Sequence, residues 1–359
     1  MTEPPFGASM ASDYQYGYRL NAWGEEPVWV KMPQPRAGAD EVLVQVEACG
    51  VGLTVLNALA GDLADKRAGL PVVPGHEIVG RVVGAGSQSR RAEALVGRRI
   101  VAYFYLSCGL CPECTDANES RCRSFGGFLG VHRDGGYAPY VALPVLNAIP
   151  VPDELDPVAA TVVPDAVATP VHICRSRLSL RPHDRVLVLG AGGGVGMHMV
   201  QVANLYGARV AGLEVREDKL SVLEEMGVLP VRSGTFSQLD PSKIWPDGAP
   251  TVVIDFVGSN ESLCWSIEAL APGGSLVLLT TFSNRELKVD PRQAVLREIA
   301  VLGSRYASRA EVSLAADLVL SGRVRPIIGM QSSADGLLDI HDHLRAGTLL
   351  GRGALCWKP

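Results

Sequence analysis

No apolar run in this chain is long enough to cross a bilayer. The longest, such as Arg185-Val-Leu-Val-Leu-Gly190 and Ser275-Leu-Val-Leu-Leu279, have strand length and end in turn residues, far short of the roughly 20 apolar residues a spanning helix needs. Excess charge is lacking as well. A net charge of -5 over 359 residues, 20% of them charged, offers no basic surface for nucleic acid. There is no internal repeat and no low-complexity tract. The chain opens without an apolar signal-like segment, so a reducing, cytoplasmic setting is expected rather than a secreted, oxidising one. Residues 1–13, with Pro4, Pro5 and Gly7 and little periodicity, read as a disordered leader. What these absences leave is a globular chain, 47% hydrophobic and too long for one ordinary core, for which two domains and a small-molecule partner are expected.

The most specific feature present is Cys108, Cys111, Cys114 and Cys122, spaced as CxxCxxCx7C. Four thiolates on one short loop close a tetrahedral shell around Zn2+ and leave no position open for substrate, so the expected metal is structural. Unrelated thiols or two disulfides are the alternatives. Cys49, Cys174, Cys264 and Cys356 stand singly and read as small buried hydrophobes.

From about residue 14 to 160 the sequence shows short alternating strands between Gly and Pro, at 41–46, 77–83 and 99–103, which suggests a mainly antiparallel β domain. From about 167 to 304 the texture changes to strands alternating with helices, at 186–189, 195–206, 209–214, 217–226 and 252–256, the signature of βαβ units and a parallel sheet. A helix at 309–321 and a last strand at 353–356 follow.

Gly190-Ala191-Gly192-Gly193-Gly194-Val195-Gly196 follows the strand at 186–189 and opens a helix. Glycines there permit a tight turn and close backbone approach, so that the helix N-terminus receives a pyrophosphate. Gly190, Ala191, Gly193, Gly194, Val195 and Gly196 are therefore candidate cofactor-binding residues, although a glycine string alone is also compatible with a plain turn. Glu214, at the end of the next strand, stands near the distance expected for a carboxylate that accepts from a ribose diol; a solvated strand-end charge is the alternative. Its charge favours NAD(H) over NADP(H). Arg216 works the other way, because it could pair with a 2′-phosphate.

With the tetrad, the glycine string and Gly75-His76-Glu77 in view, the chain resembles the zinc-containing alcohol dehydrogenase branch of the medium-chain dehydrogenase/reductase superfamily, from about residue 18 to the end. The resemblance implies an α/β fold. A GroES-like β domain, residues 1–166 and 305–359, would carry the structural zinc lobe at about 104–126, and residues 167–304 would form a Rossmann domain with a doubly wound parallel sheet. It also implies an active site in the cleft between domains and a homodimer or homotetramer. By the same resemblance Lys219 lies near the adenosine ribose and Arg352 at the cofactor pyrophosphate; a helix-surface lysine and a solvent-exposed arginine are the plain alternatives.

The family's second, catalytic zinc takes a cysteine from a segment resembling GVCxTDxH, the histidine of GHE, and a Cys or Asp heading a segment resembling DAGLTPYH. This chain reads Gly50-Val51-Gly52-Leu53-Thr54-Val55-Leu56-Asn57 in the first segment, so Gly52 holds the ligand position and has no side chain to offer. His76 matches the second ligand and Asp165 the third. Val55 replaces the carboxylate that supports the histidine and Asn57 the relay histidine, while Thr54, the hydroxyl that touches the substrate oxygen, is kept. Strand alternation turns Cys49 to the opposite face, and the chain's seven histidines offer no replacement.

A catalytic zinc is therefore expected to be absent, with Thr54, His76 and Asp165 as catalytic candidates. His76 and Asp165 could serve as an acid or orienting pair, as a structural remnant, or with Glu77 as an atypical metal site. Hydride delivery without a Lewis acid suits an acceptor that is already electrophilic, such as a C=C conjugated to a carbonyl. Zinc-free relatives such as quinone oxidoreductases and enoyl reductases resemble this picture, glycine run included. The expected activity is nicotinamide-dependent reduction of such a bond. An alcohol dehydrogenase or aldehyde reductase with an atypical metal, and an NAD(P)H-binding protein without turnover, are the alternatives.

Overall fold

The structure is a computed structural model that describes residues 13–87, 89–281 and 284–357; the expected leader falls outside them, except for Asp13. The chain divides into two compact units. One runs up to Asp165 and resumes at Ser308–Gly322 and from Ile328; the other comprises Ala166–Ala307 and Arg323–Ile327.

The first unit begins with an antiparallel pair, β1 (Tyr14–Arg19) and β2 (Val28–Pro33). Its main sheet starts with β3 (Glu41–Val51), β4 (Glu77–Ala85), β5 (Arg99–Ala102), β6 (Tyr140–Pro144) and β7 (Ala148–Pro150). Alternation builds β3, which buries Val42, Val44, Val46 and Ala48 in turn. Its last residues, Cys49 to Val51, are buried without alternation, because both faces of the sheet are covered there.

The second unit holds β8 (Arg185–Leu189), β9 (Arg209–Glu214), β10 (Leu229–Arg232), β11 (Val252–Asp255), β12 (Ser275–Leu278) and β13 (Ala300–Gly303). All are parallel, in the order β10-β9-β8-β11-β12-β13. Counted within the unit this is the 3-2-1-4-5-6 order of a doubly wound Rossmann sheet, whose switch point lies between β8 and β11. Val186, Leu187, Val188 and Leu189 are all fully buried, so both faces of the sheet are covered, as a continuous apolar strand requires. Leu187, Leu189, Ala211, Leu213, Val253 and Leu276 form the core with Trp245 and Trp265.

The chain then re-enters the first unit through the helix Arg309–Leu320, followed by β14 (Ile328–Ser332), the helix Leu337–Arg345 and β15 (Arg352–Cys356). The sheet there reads β14-β15-β3-β4-β5-β7, with β6 also on β3. One edge of β3 is thus shared: Glu41 to Gln45 pair with β6, and Ala48 to Val51 pair with β15. Among the described residues, no helix is long and apolar enough to cross a membrane.

Candidate active site and metal centre

The register of β15, β3 and β4 assembles a buried charged cluster inside the first unit. Val51 faces Gly353, and Gly50 faces Ala354 on one side and Glu77 on the other. Extended geometry continues through Gly52, so Arg352 arrives beside Gly52, and Gly50 and Gly52 share one face of the chain. Their missing side chains open a trough across β3. A Cβ at Gly52 would overlap Arg352 Nη1, and one at Gly50 would overlap Glu77 Oε2. Through this trough Arg352 Nη2 donates to Glu77 Oε1 and, at 3.0 Å, to Asp165 Oδ2.

Burial sets the electrostatics of the cluster, since Arg352 is 2%, Glu77 0% and Asp165 8% exposed. It works against the charge of Arg352, but the carboxylates of Glu77 and Asp165 outweigh it and hold the guanidinium above its ordinary pKa. Burial also dominates at Glu77 and raises its pKa against the pull of Arg352. His76 packs its ring on Phe104 with centroids 4.6 Å apart. Its Nε2 lies 3.9 Å from Asp165 Oδ2, too far for a hydrogen bond, and has no other hydrogen-bond partner.

Thr54 stands half-buried in the first turn of the helix Leu53–Leu59, Val55 is buried behind it, and Asn57 is half-buried. Cys49 faces away and packs its sulfur beside Gly75 and Gly136. Arg352 is not the solvent-exposed arginine of the plain alternative, and its two carboxylate partners went unanticipated. The signal available in the sequence was an arginine inside the apolar strand Arg-Gly-Ala-Leu-Cys, opposite two glycines spaced i, i+2.

The cluster brings His76, Glu77 and Asp165 ligand atoms within 4.8 Å of one another, the donor number a metal would need. The guanidinium, however, already takes an oxygen of each carboxylate. One imidazole and two carboxylates that pair with Arg352, with no thiolate at Gly52, make a poorer donor set for Zn2+ than a shell that includes sulfur.

The four-cysteine loop behaves differently. Cys111 caps the one-turn helix Pro112–Thr115 that carries Cys114, and a 3-10 turn, Glu119–Arg121, delivers Cys122. The sulfurs of Cys108 and Cys114 are 3.9 Å apart, those of Cys111 and Cys114 3.5 Å, those of Cys111 and Cys122 3.9 Å, and those of Cys108 and Cys122 3.5 Å. A tetrahedral ion with bonds of about 2.3 Å needs sulfur-sulfur edges of about 3.8 Å, so the shell fits Zn2+. Backbone N–H groups at Cys108 and Cys111 point at sulfurs within the loop, at 3.3 and 3.4 Å. The backbone N–H groups of Leu110 and Cys111 lower the Cys108 thiol to about 6 and favour its thiolate. None of the eight cysteines is in a disulfide, so the paired-disulfide alternative fails.

In the second unit the glycine string Gly190 to Gly196 joins β8 to the helix Gly196–Leu205, with Gly190 at a φ of +73. Glu214 ends β9 and is not a solvated charge: it is 8% exposed and accepts from the N–H of Gly192 at 3.0 Å, Val215 at 2.8 Å and Arg216 at 3.2 Å. A Cβ at Gly192 would crowd both Glu214 and Lys219, so the loop, the carboxylate and the ammonium form one cradle beside Ala191, Gly193, Gly194 and Val195. Lys219 is buried rather than on the helix surface, and burial lowers its pKa against the pull of Glu214. The exposed Arg216 pairs with Asp218 at 2.9 Å. A glycine-rich strand-to-helix turn with an acidic residue at the next strand end fits a dinucleotide, for which Glu214 and Lys219 could hold the adenosine ribose and the loop N–H groups the pyrophosphate.

Residues 38–153 match the alcohol dehydrogenase GroES-like domain family, and residues 194–321 match the zinc-binding dehydrogenase family. Acryloyl-coenzyme A reductase of Metallosphaera sedula is 30% identical over 313 residues, which cover 85% of this chain and 88% of that protein. An alcohol dehydrogenase of Geobacillus stearothermophilus is 29% identical over 332 residues, 91% of this chain and 95% of its own. Among solved structures, acetophenone reductase from Geotrichum candidum in complex with NAD superposes with a TM-score of 0.86 at 26% identity, covering 97% of this chain and 98% of its own.

Proposed function

The chain belongs to the medium-chain dehydrogenase/reductase superfamily, in its alcohol dehydrogenase-like branch, and is an oxidoreductase; on that premise we propose that it reduces an electron-poor carbon-carbon double bond with NADH and without a catalytic zinc ion. The observation that carries this reading is Gly52, which offers no donor beside the buried His76 and Asp165. In this branch a ketone or alcohol leans on a Lewis acid at its oxygen, whereas an enone, enal or enoyl thioester spreads the incoming charge over an enolate that hydrogen-bond donors can meet. The acryloyl-coenzyme A reductase relative, named for such an acceptor, supports this choice.

NADH, when bound, supplies the hydride that the β-carbon of the acceptor takes up. The C=C electron pair then moves onto the carbonyl oxygen, and one proton restores neutrality. The Thr54 hydroxyl donates to that oxygen and orients it. His76, whose Nε2 has no hydrogen-bond partner, delivers the proton to the α-carbon as the enolate pair returns from oxygen, and Asp165 at 3.9 Å steadies the imidazole.

Glu214 supports NADH over NADPH, since a buried carboxylate at the ribose repels a 2′-phosphate. The Arg216–Asp218 pair adds to this only slightly, because exposed ion pairs contribute about 1 kcal/mol or less. The tetrad holds one structural zinc. The thiol state of every cysteine supports a reducing, cytoplasmic setting, and the open edge at β13 supports a homodimer or a homotetramer built from such dimers.

The second reading, an alcohol dehydrogenase with an atypical metal, draws on the closeness of the His76, Glu77 and Asp165 ligand atoms. Two panels separate the readings: enones, enals and enoyl thioesters with NADH, and primary and secondary alcohols with NAD+, each with and without chelator. Chelator-insensitive NADH oxidation confined to the first panel is expected. Chelator-sensitive NADH formation from alcohols would sink the proposal.

A further inference from the structure

We infer that His198 is a positioning residue of the nucleotide site: its imidazole fixes the plane of the Gly194–Val195 peptide, so that the Val195 N–H is aimed where a pyrophosphate would sit, and it ties that peptide to the returning segment Arg323–Ile327. The inference rests on the dinucleotide reading above and is independent of the acceptor that the hydride reaches.

His198 stands in the first turn of the helix Gly196–Leu205 and is fully buried. Its main-chain N–H donates to Val195 O at 3.1 Å, so the Gly194 carbonyl is left without the partner that a regular helical bond from residue 198 would bring. The ring takes that place, with Nδ1 at 2.6 Å from Gly194 O. On the ring's other side, Nε2 lies 3.1 Å from the main-chain nitrogen of Ile327. A carbonyl only accepts and a main-chain N–H only donates, so the two partners leave one tautomer, a neutral ring with its proton on Nδ1. Holding Gly194 O has a consequence one bond away. In a trans peptide such as Gly194–Val195 the C=O and the N–H point in opposite directions. A carbonyl drawn toward His198 therefore turns the Val195 N–H the other way, toward the partly exposed mouth of the glycine string, from which an anion approaches a helix N-terminus. Gly194 has no side chain to restrict its backbone, so a bond from outside the peptide is what sets this plane. The anchor is itself braced. Gln201, on the same face of the helix, donates to Arg325 O at 3.0 Å and accepts from the Arg325 N–H at 2.8 Å. His198 and Gln201 thus hold alternate residues of a segment that belongs to the same unit as the loop.

Two substitutions separate the ring nitrogens. In His198→Asn the amide stands where Nδ1 stands, so the bond to Gly194 O is kept and the one to Ile327 is lost. In His198→Gln the side-chain oxygen reaches the place of Nε2, so Ile327 keeps its acceptor and Gly194 O loses its donor. Each variant leaves one buried main-chain group unpaired, and both are expected to unfold at a lower temperature than the wild type by similar amounts. Their NADH affinities, from fluorescence titration of the full chain, are expected to part: His198→Asn within about twofold of wild type and His198→Gln weaker by about tenfold, the loss of one hydrogen bond to a charged group. Gln201→Leu, which loosens the returning segment without touching Gly194, is expected to melt lower and to bind NADH as the wild type does. A merely structural histidine would instead make affinity follow melting temperature across the three variants, and that pattern would overturn the inference. So would equal NADH affinities in the two histidine variants, or wild-type affinity in His198→Gln, with the dinucleotide reading intact. A wild-type chain that binds no NADH would refute the dinucleotide reading itself, and the role of His198 with it.

Discussion

Two absent side chains do as much for this site as the charged ones around them. Gly50 and Gly52 let a glutamate from one neighbouring strand and an arginine from the other meet across β3, at a depth where an unpaired charge would be prohibitive. Gly50→Ala tests the trough directly. Its Cβ would press on both the carboxylate and the Cβ of Glu77, atoms with little freedom to move because the Glu77 side chain is fully buried. Overpacking of this kind costs about 1–3 kcal/mol, so thermal unfolding should begin several degrees lower, with NADH affinity unchanged because the nucleotide cradle belongs to the other unit. An unchanged melting temperature would show that β3 yields more easily than its two flanking strands suggest. The vacancy at Gly52 was legible in the sequence because position 52 lies inside a recognisable segment. What fills it was not, since Arg352 reaches position 52 only through the strand register, and nothing local to residue 352 announces its partners.

At the level of elements, pattern carried furthest where one physical rule acted alone. β8, β9, β11 and the helices Gly196–Leu205 and Glu217–Glu225 match expectation within a residue or two, because buried parallel strands are continuously apolar and their crossover helices are not; the edge strand β10, only partly buried, lacks that signal and was not expected. β3 extends past the expected 41–46 to Val51; its last residues are covered on both faces and include glycine, so alternation fades just where the site forms. The helix Leu53–Leu59 was missed for a related reason, as Gly52 offers no capping side chain to mark its start. The helix Arg309–Leu320 shows the opposite case. Ser308 and Glu311 form a reciprocal capping box, with Ser308 N–H donating to the Glu311 carboxylate at 2.7 Å and Glu311 N–H to the serine hydroxyl at 3.2 Å, a signature readable from spacing alone. The next N–H, at Arg309, reaches Glu119 beside the zinc loop at 3.4 Å. Ser308→Ala should therefore cost about 1 kcal/mol, a fall of about 2–4 °C for a unit of this size by differential scanning calorimetry. A neutral result would mean that the helix start is held by its packing rather than by its cap.

For the molecule as a whole the open question of assembly turns on one sheet edge. Among the described residues β13 pairs only with β12, which leaves the backbone groups of its outer edge without a strand partner. Such an edge is a template for another strand unless charge, proline or a covering element blocks it. Here nothing in its sequence blocks it: Ala300 to Gly303 carries no charge, Val301 is 38% exposed, and the helix Pro291–Arg297 leading toward it exposes Val295 at 74% and Leu296 at 69%. A single-chain protein seldom leaves large apolar side chains so open beside an unpaired edge. Two copies related by a two-fold axis can pair β13 with β13 in antiparallel fashion, a contact in which each chain offers the same surface. Sedimentation should accordingly give at least twice the chain mass of 38.1 kDa. Val301→Lys combined with Leu296→Glu should shift the protein toward single chains, because a lysine on the edge and a carboxylate in the apolar patch oppose pairing without touching the nucleotide cradle or the Arg352 cluster. NADH binding by those single chains should persist. A wild-type protein that sediments as one chain, or a double variant that assembles as the wild type does, would show that contacts elsewhere decide the assembly.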